Sequence, residues 1–401
     1  MRRPLQTENE GESMDRVFIE LCENYRIDRV TSALEKIFEG MGGIGSIVKP
    51  GMRVAIKPNL LMPKKPDDAA TTHPAVVQAI AGLVQKAGGL VSIVESPGGL
   101  YNVSSLKRIY TATGMEEAAD ETGAQLNFDL RVERIDNPDA LIIKSLKILK
   151  PLRDADLIIN VAKLKTHRLM VYTGAVKNMF GAIPGLEKAD YHLRLDQYDK
   201  FADCLIDIYL ATRPQINIID SIIGMEGEGP GSGVPKYLGV LIGSKNGFAA
   251  DLAALSLINV DYRQVPVLKR AEERKLIQPE QVIFEGVDIA TVRCEDFDVP
   301  ALVSPSGMRL SGRLLSAVEK IFRPKPEIRH EKCISCGKCA EVCPPKTIRK
   351  GDDKKMIIDY SKCISCFCCH EFCPEKAVRI RKNIARRILE YRRTSGGEGI
   401  V

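Results

Sequence analysis

The sequence predicts an α/β protein, a mostly parallel sheet covered by helices, with a small C-terminal α+β domain of different character. Two observations carry this reading. Continuous apolar segments alternate with amphipathic helical ones between residues 53 and about 260, as in a sheet buried on both faces. Beyond about residue 300 that rhythm weakens, and nine of the twelve cysteines crowd between Cys333 and Cys373. The 401 residues suffice for one large domain and one small one.

Residues 14–39 alternate apolar and charged positions at helical spacing, predicting one or two early helices before the glycine-rich stretch Gly40–Gly45. Arg53–Lys57 reads as a short strand ended by Pro58. Thr71, Thr72 and Pro74 supply start signals for a helix through about Lys86, stopped by Ala87-Gly88-Gly89. Leu90–Val94 is the next strand, so the unit is strand–helix–strand with a right-handed crossover. Residues 100–150 predict an irregular or antiparallel excursion. Ala155–Val161 then reads as a buried strand, followed by a helix over Leu195–Leu210, strands at Gln215–Ile219 and Leu238–Ile242, and a helix at Ala249–Asn259. Phe322-Arg323-Pro324-Lys325-Pro326 is stiff, charged and poor in core residues, which marks a join. The resulting division is a large domain over 1–322, a linker over 323–329, a small domain over 330–382 and a basic tail over 383–401.

The formal charge of +6 arises from 58 basic and 52 acidic residues, too slight and too scattered for a nucleic-acid binder. Arg386, Arg387, Arg392 and Arg393 make the tail the densest positive stretch, read as a solvated helix face. Met1–Glu12 is polar and lacks the apolar core of a signal peptide, and no apolar segment approaches the length of a membrane span. With the cysteines clustered rather than spread as pairs, these features predict a cytoplasmic, reduced environment. Cys22, Cys204 and Cys294 are isolated and read as buried thiols.

The run Cys333-x2-Cys336-x2-Cys339-x3-Cys343-Pro344 recurs 30 residues later as Cys363-x2-Cys366-x2-Cys369-x3-Cys373-Pro374. This spacing wraps thiolates around two [4Fe-4S] clusters, each fourth cysteine reaching across to the other cluster. The predicted ligand sets are Cys333, Cys336, Cys339 and Cys373 for one, and Cys363, Cys366, Cys369 and Cys343 for the other. Structural zinc sites usually pair separated cysteine doublets, unlike this array. Cys368 is a ninth thiol that breaks the x2 spacing, so it reads as a buried or outer neighbour rather than a ligand. The small domain buries little apolar surface, and its clusters are expected to form part of its folding free energy.

Open α/β sheets bind ligands beyond the carboxyl ends of their strands. Lys57 and Asn59 fall there after the first strand of the sheet, Glu95 and Ser96 after the second, Lys163, Lys165 and His167 after the third, and Asp220 and Ser221 after the fourth. Thr173–Gly181 places Lys177 and Asn178 between glycines, with neither a Walker sequence nor a dinucleotide fingerprint. Gly224–Gly233, with five glycines in ten residues, reads as an anion cradle, a mobile lid or a long surface turn. Its Glu226 and Glu228 are candidate hard-metal ligands or proton donors.

Lys57-Pro58-Asn59-Leu60, Thr71-Thr72-His73-Pro74, Lys163-Leu164-Lys165-Thr166-His167, Gly174–Gly181, Asp220 with Met225–Pro230, and Asp251 together resemble the DUF362 family. That family's large uncharacterised domain is often fused to a bacterial-type two-cluster ferredoxin module, and the array with its extra Cys368 resembles the fused form. The resemblance implies a site at these strand ends without naming a reaction.

Two functions follow. In the first, a redox enzyme takes electrons from a low-potential protein donor through two [4Fe-4S] clusters to an anionic substrate or further cofactor in the cleft. Lys57, Asn59, Lys163, Lys165, Asn178 and Glu228 would bind, and His167, Lys177, Asp220 and Glu226 would act on it; His167 titrates nearest neutrality. A flavin is left open, with no flavin fingerprint in the chain. In the second, a non-enzymatic electron-transfer or assembly protein works on a protein partner.

Overall fold

The structure is a computed structural model and describes residues 14–195, 197–300 and 324–381. The basic tail and the join at Phe322-Arg323 lie outside the described residues. The large domain is built on a nine-stranded sheet. Its strands are β1 (Arg16–Leu21), β2 (Arg53–Pro58), β3 (Leu90–Ile93), β4 (Gln125–Leu126), β7 (Leu157–His167), β8 (Val171–Thr173), β9 (Ile216–Glu226), β10 (Val234–Ser244) and β11 (Ile283–Gly286). A separate hairpin is formed by β5 (Val132–Asp136) and β6 (Ser145–Leu149), the antiparallel excursion expected in this region. The order is β11-β1-β10-β9-β7-β2-β3-β4, with β8 paired to β7. Only β10 and β8 run against their neighbours.

The strand order reverses between β2 and β7: the chain runs from β2 outward to β3 and β4, then returns to the other side of β2. One apolar layer packs the helices Tyr198–Thr212, Gly247–Leu257 and Pro266–Glu273 on one face of the sheet. A second packs Ile27–Gly40, Pro74–Lys86 and Val103–Ala112 on the other. Helix Pro74–Lys86 begins as the sequence indicates: Pro74 occupies its first turn and His73 Nδ1 accepts from Ala75 N at 3.2 Å. It stops at Gly88, whose φ of +87° suits glycine.

Two expectations are corrected. Residues 16–21 form strand β1, not a helix; Val17, Phe18 and Ile19 are all buried, and the segment adds a parallel pair with β11. A six-residue apolar run fits either period, and burial from both faces of the sheet decides for the strand. Gly224–Glu226, read as too glycine-rich for a strand, continues β9 and pairs with Val234–Lys236 of β10. Only residues 227–233 make the connecting turn.

The small domain contains β12 (Lys325–Ile328), β13 (Ile348–Lys350), β14 (Met356–Ile358) and β15 (Val378–Arg381), with the short helices Lys338–Glu341 and Cys368–Glu371. β12 pairs with β15, so residues 325–328 belong to this domain rather than to a linker over 323–329. The internal repeat is visible in the backbone. Ser335 and Ser365 share φ near +54°, and Lys346 and Lys376 lie near +50°.

Candidate functional site

The site lies where the strand order reverses, the usual ligand crevice of an open α/β sheet. Most of the strand-end cations there are already wired. Lys57 is fully buried and its Nζ donates to Glu95 Oε2 at 2.9 Å, while Glu95 also accepts from Leu60 N and Ser96 N. Lys163 donates to Asp220 Oδ2 at 2.9 Å and to Tyr25 Oη, which donates to Asp220 Oδ1 at 2.8 Å. His73 N reaches the same carboxylate, and Tyr25 stacks on the His73 ring at 3.6 Å. Burial lowers the pKa of both lysines, opposed by their carboxylates. Asp220, a catalytic candidate from the sequence, is therefore committed to holding the β7–β9 junction.

Lys165 donates to Asn59 Oδ1 at 2.8 Å and to Ala70 O, and burial lowers its pKa to about 7. Asn59 in turn donates to Asn178 Oδ1, and Asn178 to Asn160 Oδ1 at 2.7 Å. This amide chain crosses from β2 to β7 and fixes the segment that carries Lys177.

Lys177 differs from the rest. It sits on the one-turn helix Ala175–Asn178, whose first N–H groups donate to Asp251 at 2.6 and 3.1 Å. Burial pushes the Asp251 carboxyl up to about 7 despite those bonds. Among the described residues Lys177 has no hydrogen bond or ion pair; its Nζ lies 6.0 Å from the Phe180 ring centroid. Burial lowers its pKa, opposed by Glu371 and Cys368.

Glu371 arrives from the small domain. His167 Nδ1 accepts from Leu169 N and Met170 N, which leaves the ring proton on Nε2, 3.0 Å from Glu371 Oε1 but not aligned as a hydrogen bond. Burial keeps this imidazole neutral, lowering its pKa to about 4. Burial works against the Glu371 carboxylate, but His167, Lys177 and His192 together hold it below the ordinary range. His192 stacks on Phe201 at 4.3 Å, and its buried Nδ1 has no hydrogen-bond partner among the described residues. Lys177, His192, Cys368 and Glu371 line one cavity of about 90 Å³ together with Phe180, Pro230 and Phe372.

Glu226 and Glu228 stand apart from this cavity. Glu226 accepts from Asp298 N, and Glu228 pairs with Arg168. The Glu228 carbonyl also meets His370 Nε2 of the small domain at 3.2 Å, so the glycine-rich turn docks one domain on the other. A Cβ on Gly98 would come within 1.9 Å of Phe372, and one on Gly231 within 2.7 Å of Glu371 O, which explains glycine at both seams. His192, Lys188, Cys368 and Glu371 were not singled out as site residues from the sequence. The available signal was the departure of the second array from the first at Phe367, Cys368, His370 and Phe372.

The cysteines gather in the two crossed groups that the spacing predicts. Cys333, Cys336, Cys339 and Cys373 line a single small cavity. Cys363, Cys366, Cys369 and Cys343 form the second group, close enough to act on one another electrostatically. Thr347 N and Ala377 N donate to Cys343 Sγ and Cys373 Sγ at 3.3 and 3.2 Å, as expected for thiolates that ligate a cluster. Cys368 is buried, contacts Cys366 and lines the ligand cavity.

Residues 54–256 match the family of a domain of unknown function, DUF362, and residues 325–385 match a 4Fe-4S dicluster domain. A thylakoid-associated protein of Synechocystis sp. is 32% identical over 269 residues, covering 64% of this chain and 78% of that protein. Among solved structures, the lactate racemase apoprotein of Thermoanaerobacterium thermosaccharolyticum aligns at 16% identity and TM-score 0.37, over 60% of this chain and 56% of that one. A Thermotoga maritima structural-genomics target aligns at 13% identity and TM-score 0.34, over 66% and 61%. The chain thus spans less than two thirds of either structure. Among the described residues, no helix is long and apolar enough to cross a membrane. The chain belongs to the DUF362 family and carries a 4Fe-4S dicluster domain at its C-terminal side.

Proposed function

We propose that the protein is a ferredoxin-linked, reductase-like enzyme whose substrate or further cofactor is a small anionic compound held in the cavity between the domains. When bound, the two clusters supply one-electron transfer from a low-potential protein donor. The observation that carries the reading is the mixed ownership of the cavity: Lys177 and His192 come from the large domain, Cys368 and Glu371 from the second cysteine array. Among the described residues Lys177 has no hydrogen bond or ion pair, which leaves its amine free to meet a ligand that enters the cavity. The His167 Nε2–H faces Glu371 Oε1 at 3.0 Å, and Phe180, Pro230 and Phe372 give the cavity an apolar lining that strengthens the charge interactions inside. A cytoplasmic location belongs to the same reading, and the Synechocystis relative's name leaves room for attachment to a membrane surface.

Native mass spectrometry of anaerobically purified protein, with iron and sulfide quantification, tests this. The expected result is mass beyond the chain and two clusters that disappears in Lys177→Ala while iron is retained. Two clusters alone, with reduced protein reoxidised only by a protein acceptor, would turn the account toward an electron carrier.

A further inference from the structure

Five buried or cavity-facing lysines surround this site, and four of them are saturated. Lys57 is held by Glu95, Lys163 by Asp220, Lys165 by Asn59 and Ala70, and Lys188 by Ser96 and Pro97 carbonyls at 2.5 and 3.2 Å. Lys177 faces the same cavity with no such partner among the described residues. Its carboxylate neighbour, Glu371, lies beyond ion-pair contact and is already turned to His167. Lys177 is half-buried, and with no close carboxylate among the described residues its amine is free to act as a nucleophile once deprotonated.

We propose that Lys177 is an imine-forming lysine, and that the cavity takes a small carbonyl compound, an aldehyde or a 2-oxo acid. This deepens the reading of the cavity as a ligand site and rests on it. The Nζ lone pair attacks the carbonyl carbon, forming the C–N bond while the C=O π pair moves to oxygen. One nitrogen proton is passed to that oxygen, giving a carbinolamine. The second nitrogen proton leaves with the hydroxyl as water and the C=N bond closes, so amine and carbonyl give imine plus one water with no change in oxidation state. His192 is the second, independent pointer to such a ligand. Its ring lines the same cavity, is 6% exposed, and buries an Nδ1 that has no hydrogen-bond partner among the described residues. A neutral Nδ1 accepts the proton from the attacking nitrogen and returns it to the departing oxygen. The cavity of about 90 Å³ limits the enclosed part of the ligand to a few heavy atoms, since a cavity of roughly 150 Å³ holds benzene.

The test uses oxidised holoprotein, without electron donor, incubated with glyoxylate and sodium cyanoborohydride and read by intact mass and peptide mapping. The expected result is one reduced carboxymethyl adduct on the Lys177 peptide. With its charged form disfavoured by burial, Lys177 should be labelled at least about tenfold faster than exposed Lys86. Lys177→Arg keeps the charge and iron content and loses the adduct, while His192→Phe forms it more slowly. Labelling of Lys177 no faster than Lys86, or an unchanged adduct pattern in Lys177→Arg, overturns the proposal. Because no electrons flow in this assay, its failure leaves the electron-delivery reading standing for its own test.

Discussion

The two cysteine arrays have identical ligand spacing and opposite surroundings. In the first, Gly337, Lys338, Ala340 and Val342 lie between or beside the ligands, and Cys336 is exposed. In the second, the matching positions are Phe367, Cys368, His370 and Phe372, most of them buried against the large domain. The contrast is sharpest at one shared residue type. Glu341 pairs with Lys338 on its short helix and is 27% exposed, while Glu371 is buried against His167 of the large domain. Ligand geometry is therefore the common inheritance of the repeats, and docking is the specialisation of the second. The first array keeps Cys336 exposed and gives Val342 to the cavity, while the second gives Cys368, Glu371 and Phe372.

Breaking a ligand in either array gives the largest effect. Cys336→Ser and Cys366→Ser should each lose or convert one cluster, a fall of up to about four irons per chain, and lower the melting temperature of the small domain. Only Cys366→Ser should also disturb ligand binding at Lys177. Equal iron in mutant and wild type would sink the ligand assignment. The glutamates come next. Glu371→Ala leaves the buried His167 Nε2–H without the acceptor it faces and should cost about 1–3 kcal/mol in chemical denaturation. Glu341→Ala removes a surface pair and should cost about 0–1 kcal/mol. Similar losses for both would mean that the second array does not dock as described.

The pH dependence follows from the histidines the second array encloses. Burial lowers His167 to about 4 and His192 to about 3 from an ordinary 6.5. Between those values the unfolded chain binds more protons than the folded one, so stability present above about pH 6.5 is lost as pH falls through that window. His192→Phe should flatten the slope; an unchanged slope in urea titrations at pH 5 and 7 would remove His192 from the account. The smallest effects belong to residues with nothing to lose. Lys177→Ala should change stability by less than about 1 kcal/mol, against about 3–5 kcal/mol for Lys163→Ala, which strands buried Asp220. Cys368→Ala should leave both clusters loaded, as iron analysis would show; loss of four irons would make Cys368 a ligand.

Much of the site was legible because its signals are local. β2 with Lys57 and β7 with Lys163 and Lys165 announce themselves by apolar runs ended by polar residues, and Lys177 by its place between glycines. The family resemblance coincides with those strand ends. What sequence could not supply was pairing. That Asp220 is consumed by Lys163, that Glu228 serves Arg168 and His370, and that Glu371 crosses between domains are contacts over 57 to 204 positions. Strand β1 was misread for a different reason, since a short apolar run has no period long enough to choose helix or strand.

The most direct test of the central claim is reoxidation of the donor-reduced clusters by a panel of small anionic carbonyl compounds, followed anaerobically by absorbance in wild type and Lys177→Ala. The account predicts that at least one compound reoxidises the wild type, and that Lys177→Ala, with full iron content, does so at least about tenfold more slowly, a loss of about 1.4 kcal/mol of transition-state stabilisation. Equal rates in the two proteins, or no reoxidation by any compound, would contradict it.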